Sequence, residues 1–138
     1  MPSERLDRHG DLSPEPPDQK EFDGLVRSGL ERLRDAEREV NSIDGRFDLA
    51  YNAGHALSLA ALRYHGYRSS KRYVVFHVLP DTLGVTADVW RILDKAHKVR
   101  NHSEDEGITD VDETLLRDLI AACRKVAAAV EALPPLAG

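Results

Sequence analysis

The sequence predicts an all-α protein, an up-and-down bundle of four to five helices. Apolar residues recur at three- and four-residue steps over most of residues 18–133, a spacing that places them on single helix faces. Residues 73–78 have strand-like composition, but no second strand is evident, and a lone strand leaves its backbone polar groups unsatisfied. With 138 residues in all, the chain fits one domain, which we assign to residues 18–135.

The N-terminal residues 1–17 are expected to form a disordered tail. They are charged, carry three prolines after Ser13 and offer little apolar surface, so ordering them would cost more entropy than it returns. Asp18 then has the features of a helix N-cap, and Glu21 completes a capping box. The helix should end near residues 41–45, and its apolar face comprises Phe22, Leu25, Val26, Gly29, Leu33, Ala36 and Val40.

Residues 46–67 predict a central helix. They are rich in alanine and leucine on more than one face, and a helix that is apolar around most of its circumference is normally buried. Gly66 is a suitable C-terminal stop. We expect another helix from about residue 70 to residue 79, because Pro80 excludes a continuous helix through its position.

Two further helices complete the bundle. Thr86 can cap the first, in which Val85, Val89, Ile92, Ala96 and Val99 form an inward stripe. Leu93, Ala96, His97 and Arg100 share the adjoining face, so Arg100 should emerge beside the packed stripe, where a groove can form. Asp110 and Glu113 predict a capping box for the last helix, which Pro134 stops.

Composition limits the compartment and the partners. The chain has one cysteine, Cys123, so it forms no intramolecular disulfide, which fits a reducing cytoplasm. No apolar run approaches the ~20 residues needed to cross a bilayer, so we expect no membrane association. The net charge of -5 opposes a nucleic-acid backbone, so any such binding requires a local basic surface.

A polar cluster around residue 100 is the candidate site. Arg100, Asn101 and His102 are the candidate catalytic residues, since an arginine clamps a phosphate, an amide orients a hydroxyl or water, and a histidine transfers protons near neutral pH. Arg100 and Asn101, with His97 and Glu104, are the candidate binding residues. The alternative is an ordinary helix end at which Arg100 pairs with a following glutamate. Two basic stretches lie nearby in sequence: Arg63, Arg68, Lys71 and Arg72, then Arg91, Lys95, Lys98 and Arg100.

No metal site and no cofactor are predicted. His97 and His102 are five residues apart, which does not align them on one helix face, and no spacing matches a zinc or iron signature. His55 and His65 are interpreted as core or boundary residues on the central helix. His77 is given the same interpretation and would need a polar partner.

Three stretches resemble the HEPN domain family, helical proteins associated with prokaryotic toxin–antitoxin, defence and nucleotidyltransferase systems. They are residues 47–67 (FDLAYNAGHALSLAALRYHGY), 73–79 (YVVFHVL) and 94–107 (DKAHKVRNHSEDEG). The resemblance covers about residues 20–133. It implies a homodimer whose polar motifs meet in a shared cleft, RNA or a nucleotide as ligand, and a nucleotidyltransferase or a cognate toxin or antitoxin as partner.

The chain departs from this family at one functional position. HEPN ribonucleases carry an arginine followed after four to six residues by a histidine, whereas residues 105–107 are Asp, Glu and Gly. Because the motif is degenerate, we expect a binding or regulatory protein. The alternatives are an active metal-independent endoribonuclease that uses Arg100 and His102, and a helical module that only assembles with other proteins.

Overall fold

The computed structural model describes residues 6–106 and 111–136, with side chains described for residues 6–101 and 111–136. Six helices and one antiparallel strand pair occur in these residues. The helices are α1 (Gln19–Ala36), α2 (Ile43–Tyr64), α3 (Arg72–His77), α4 (Leu79–Leu83), α5 (Ala87–Glu106) and α6 (Glu113–Glu131). The strands are β1 (Ser13–Pro14) and β2 (Tyr67–Arg68). The prediction of an all-α bundle is confirmed, with four long helices and two short ones.

Helix α2 is the centre of the bundle and packs against all five other helices. Its alanines, leucines and Tyr51 are almost all buried, as its apolar circumference predicts. Gly54 permits the closest approach, because a Cβ atom there would lie 2.7 Å from a Leu93 methyl and 3.1 Å from Cys123 Sγ. The absence of a side chain at this position therefore lets α2 pack tightly against both α5 and α6.

Helix α1 begins as predicted and ends earlier than predicted. The Asp18 carboxylate accepts a hydrogen bond from the backbone N–H of Glu21 at 3.2 Å, which confirms the N-cap. The helix ends at Ala36. Val40, which we placed on its apolar face, lies beyond that end and is 82% exposed.

The segment around Pro80 forms two short helices instead of one helix over residues 70–79. Helix α3 ends at His77, and Pro80 lies in the first turn of α4, where its missing N–H costs no helical hydrogen bond. Val74, Val75 and Phe76 are buried, which explains the strand-like composition of this stretch by its position in the core.

Residues 6–17 pack against the domain, and this corrects the prediction of a disordered tail for that part of residues 1–17. The Leu6 side chain is fully buried against Leu62, Val74 and Val75. Strand β1 pairs with β2, Ser13 opposite Arg68. The composition of residues 6–17 did not predict this attachment, because a few apolar side chains and backbone hydrogen bonds are enough to hold the segment.

Arg63 holds this N-terminal segment from the end of α2. Its side chain is 2% exposed, and it donates hydrogen bonds to the backbone carbonyls of Glu15 at 2.9 Å and Pro16 at 2.7 Å. Its Nε lies 2.5 Å from a Glu21 carboxylate oxygen. The hydrogen bond from Arg63, followed by that from Arg68, lowers the pKa of Glu21 below its usual value. The buried guanidinium is thus satisfied by both carbonyls and a carboxylate.

Helices α5 and α6 pack beside each other against α2. On α5 the most deeply buried residues are Val89, Leu93 and Ala96. The N-cap of α6 is Asp112, whose carboxylate accepts from the backbone N–H of Leu115 at 2.8 Å. We predicted a capping box with Asp110, which lies outside the described residues. Among the described residues, none of the helices has the length and apolar composition to cross a bilayer.

Candidate functional site

Tyr51 lies at the centre of a polar cluster formed by α2, α3 and α5. The tyrosine is fully buried, and two guanidinium groups lie over its ring. The ring centroid is 5.0 Å from the guanidinium carbon of Arg100 and 5.6 Å from that of Arg72. Cations at such distances are attracted by the negative face of an aromatic ring, so Tyr51 stabilises both side chains in place. We call Tyr51, Arg72, His97, Arg100 and Asn101 the Tyr51 cluster.

Arg100 lies near the end of the described side chains on α5, at the rim of the cluster. Its side chain is 25% exposed, and its Nε is 3.5 Å from an Asp48 carboxylate oxygen. Asp48 is largely exposed and precedes Tyr51 on the same helix face. Arg100 is therefore held between a buried ring and a solvent-accessible carboxylate, with about a quarter of its side chain exposed.

Arg72 is the less satisfied of the two arginines. Its Nη1 atom is buried and has no hydrogen-bond partner among the residues that the structure describes. A buried donor without an acceptor costs about 1–3 kcal/mol, and more when the group is charged. An anionic ligand that reached Arg72 would supply the missing acceptor. Arg72 is thus the part of the cluster that most favours an anionic ligand.

His97 joins Tyr51 to Asn101 by two hydrogen bonds. The Tyr51 hydroxyl lies 2.9 Å from Nδ1 of His97, and the Asn101 amide nitrogen lies 3.2 Å from Nε2. Because an amide nitrogen only donates, Nε2 is the acceptor, and a neutral ring donates from Nδ1 to the tyrosine oxygen. This arrangement fixes the tautomer of His97 and leaves the exposed Asn101 carboxamide oxygen open to solvent.

Burial lowers the pKa of His97 below its usual value of 6.5. The nearby Asp94 acts against this, whereas the charges of Arg72 and Arg100 reinforce it. His97 is therefore uncharged near neutral pH, in agreement with its role as an acceptor from Asn101.

The positive charges of the Tyr51 cluster affect the pKa of His55. It lies one helical turn after Tyr51, with its ring edge-on to Phe76 at 6.1 Å. Burial lowers its pKa from 6.5 to about 4, and the charges of Arg72 and Arg100 contribute to the shift. The interpretation of His55 as a boundary residue fits its half-buried position, but its low pKa ties it to the site.

His65 and His77 both have polar partners. His65 Nε2 is 2.8 Å from the backbone carbonyl of Thr82. His77 has the polar partner that it needed, since its Nε2 is 3.1 Å from the Asp94 carboxylate. Lys98 contacts the other oxygen of Asp94 at 3.0 Å. Burial raises the pKa of Asp94, but the hydrogen bonds from Lys98 and His77 outweigh it, so the pKa lies below its usual value.

The structure brings together three of the predicted site residues. His97, Arg100 and Asn101 lie in one cluster, whereas the side chains of His102 and Glu104 lie outside the described residues. Sequence reasoning missed Tyr51 and Arg72 as members of the site. The available signal was weak: Asp48, Tyr51 and His55 are spaced to share one helix face, and polar groups there interrupt an otherwise apolar helix.

Two clefts adjoin the first turns of α2, and the residues that line them are not members of the Tyr51 cluster. One of about 550 Å³ is lined in part by Asp48, whose carboxylate contacts Arg100. Another of about 570 Å³ lies between the α1–α2 connection and α6. In this second cleft Arg124 is paired with Glu37 at 2.8 Å, and Arg46 donates to the Ala36 carbonyl at 2.7 Å. Arg124 and Arg46 therefore already have acceptors, whereas the buried Nη1 of Arg72 has none among the described residues. On that ground the Tyr51 cluster is the stronger candidate for an anion site.

Metal and thiol chemistry have little support in the described residues. Within residues 6–106 and 111–136, no group of three or more histidine, cysteine, aspartate or glutamate residues could hold a metal ion. Cys123 is fully buried and donates to the Ala50 carbonyl at 3.2 Å. Burial raises the pKa of its thiol to about 12, so it stays protonated and unreactive.

No protein-family model matches the chain, and no curated protein matches it in sequence.

Proposed function

We propose that this chain is a HEPN-like helical protein that binds a phosphate group of RNA or of a nucleotide. It would act as a binding or regulatory member of a toxin–antitoxin, defence or nucleotidyltransferase-linked system. The observation that carries the proposal is the convergence of Arg72 and Arg100 over Tyr51, with a buried Arg72 Nη1 that lacks a hydrogen-bond partner among the described residues.

The chemistry of the cluster favours a phosphate. Two guanidinium groups on one ring create a local positive field in a protein of net charge -5, and guanidinium matches the geometry of phosphate oxygens. Asn101 adds a neutral, exposed amide beside the cations, suited to a ribose hydroxyl or a phosphate oxygen. The cluster thus combines charge with a group that can orient the ligand.

Binding is favoured over cleavage by the state of the groups in the cluster. Nε2 of His97 is occupied by Asn101 and its Nδ1 by Tyr51, so the ring is held by two internal hydrogen bonds. Neither nitrogen is open to take a proton from a substrate hydroxyl. The family histidine expected after Arg100 is replaced by residues 105–107, which are Asp, Glu and Gly.

Calorimetric titration with adenosine monophosphate, and with adenosine as the ligand that lacks phosphate, tests the proposal. We expect binding of the monophosphate alone, and a roughly 10- to 100-fold loss of affinity in Arg100→Gln and in Arg72→Gln, because each removes charge-assisted hydrogen bonds. Arg27→Gln is the matched control, since it removes an exposed arginine of α1 outside the cluster. Equal binding of both ligands, or unchanged affinity in both cluster variants, would contradict the proposal.

An RNA-cleavage assay on the same proteins separates the alternative. Efficient cleavage that disappears in Arg100→Gln and in His102→Ala would assign the chain as an endoribonuclease. We expect the RNA to remain intact under conditions in which it is bound.

The proposal includes a homodimer in which the two clusters meet in one cleft. Arg100 and Asn101 are accessible at the surface of α5, as such a meeting requires. Sedimentation velocity should give a dimer, and an Asn101→Arg variant should weaken it, because four cations would then crowd the interface. A monomer at all concentrations would remove the dimer from the proposal and leave phosphate binding as a property of one subunit.

A further inference from the structure

Three rings lie next to one another on the surface formed by α3 and α5. Tyr73 is 39% exposed, and its ring centroid is 5.5 Å from that of His77. The His77 ring in turn lies 4.8 Å from Trp90. We call Tyr73, His77 and Trp90 the aromatic strip. An exposed tyrosine beside a histidine ring that in turn contacts a tryptophan offers a ligand more aromatic surface than one side chain alone.

The strip is set among positive charges. The guanidinium carbon of Arg91 lies 5.6 Å from the centroid of the Trp90 ring, and Arg72 directly precedes Tyr73. The Asp94 carboxylate contacts His77 at 3.1 Å, and its other oxygen is paired with Lys98 at 3.0 Å. The strip is therefore locally cationic in a chain whose net charge is -5.

The strip continues into the Tyr51 cluster along two helices. On α3, Tyr73 follows Arg72. On α5, Trp90 and His97 are seven residues apart, which places them on one face at a rise of roughly 10 Å. A ligand with a phosphate between Arg72 and Arg100 would thus have rings within reach on the neighbouring surface.

We infer that the aromatic strip is a stacking platform for the bases of a single-stranded nucleic acid whose phosphate occupies the Tyr51 cluster. The inference rests on the proposed phosphate site and adds the class of ligand. Exposed rings interleaved with cations are the features with which proteins hold single strands, because the rings stack on bases while the cations follow the phosphates. A protein partner is less suited to the strip, since its positive charge would have to be matched by acids on that partner.

Trp90 gives a direct signal for the test, because it is the single tryptophan of the chain. The full chain is titrated with hexaadenylate in its ribose and deoxyribose forms, and with an abasic hexamer of the same charge, while tryptophan fluorescence and affinity are followed. We expect both base-bearing hexamers to quench Trp90 and to bind roughly 10-fold or more tightly than the abasic hexamer, as one or more stacked bases predict. Tighter binding of the ribose form would indicate contacts to the 2′-hydroxyl.

Variants of Tyr73 separate stacking from folding. Tyr73 is exposed, so Tyr73→Leu should fold normally, lose most of the advantage of the base-bearing hexamers and leave the abasic affinity unchanged. Tyr73→Phe keeps the ring and should retain the advantage. Equal affinity for hexamers with and without bases would overturn the platform.

The outcomes also distinguish the two proposals. If the abasic hexamer binds in an Arg100-dependent manner but bases add nothing, the phosphate site stands and the platform fails. If base-bearing hexamers bind through Tyr73 while Arg72→Gln and Arg100→Gln have no effect, the Tyr51 cluster is not the phosphate site and the inference fails as stated. If Tyr73→Leu dissociates a dimer without changing nucleic-acid affinity, the strip is a protein interface.

Discussion

Acidification should destabilise this protein through His55, well above the pH at which its carboxylates titrate. The pKa of His55 is about 4 in the folded protein, whereas the ordinary pKa of a histidine, which applies to the unfolded chain, is 6.5. The unfolded chain therefore binds the proton more readily, so the stability from a neutral His55 is fully present above pH 6.5 and is lost as pH falls toward 4. This difference is worth about 3 kcal/mol in total and about 2 kcal/mol between pH 7 and pH 5.

Urea unfolding of the wild type and of His55→Gln at pH 7 and pH 5 measures this contribution. The free energy of unfolding of the wild type should fall by about 2 kcal/mol more than that of the variant over this interval. His9→Gln is the matched control, because His9 lies in the N-terminal segment away from the cluster. An identical pH dependence of wild type and His55→Gln would refute the argument that burial and the two arginines hold His55 neutral.

Packing and the buried ion pair give two further predictions. Gly54→Ala should destabilise the protein by about 1–3 kcal/mol in thermal unfolding, because the new methyl group would overlap a Leu93 methyl. Gly24 also lies inside a helix, but a Cβ atom there would meet open space. Gly24→Ala should therefore stabilise the protein by roughly 0.5–1 kcal/mol. Arg63→Leu should lower the free energy of unfolding by about 3–5 kcal/mol and expose the N-terminal segment to protease, because Arg63 is buried. Arg68→Ala should lower it by under about 1 kcal/mol, because the Arg68 side chain is 41% exposed. Equal losses in the two arginine variants would contradict the role assigned to burial.

The helices and the centre of the fold could be predicted from the sequence because those features are local. The Asp18 cap follows from side chains three residues apart. The central position of α2 follows from apolar residues on most of its faces. The end of α1 at Ala36 was not predicted, because Val40 continues the apolar spacing past the last helical turn.

The N-terminal segment could not be predicted from its composition. Its attachment depends on Arg63, which lies far away in sequence and binds backbone carbonyls, and every residue type provides a carbonyl. Among residues 6–17 only Leu6 supplies a large buried side chain, so the number of apolar residues underestimated the stability of the attachment.

The candidate site was predictable where it is local and not where it depends on packing. His97, Arg100 and Asn101 are neighbours on one helix, so their spacing alone placed them together. The contact of Arg72 with Tyr51 joins two helices across the bundle, and no spacing in the sequence encodes it. The sequence showed the basic stretch that contains Arg72, but it did not show that the Arg72 side chain lies over the buried Tyr51 ring.

The central claim is that Arg72 and Arg100 hold one phosphate together, and a double-mutant cycle tests it most directly. Calorimetry would measure the affinity for adenosine monophosphate in the wild type, Arg72→Gln, Arg100→Gln and the double variant. If both arginines contact the same phosphate, each single variant loses roughly 10-fold or more, and the cycle gives a coupling energy of about 0.5–3 kcal/mol. Additive losses with no coupling, or single variants that bind as tightly as the wild type, would contradict a shared phosphate site.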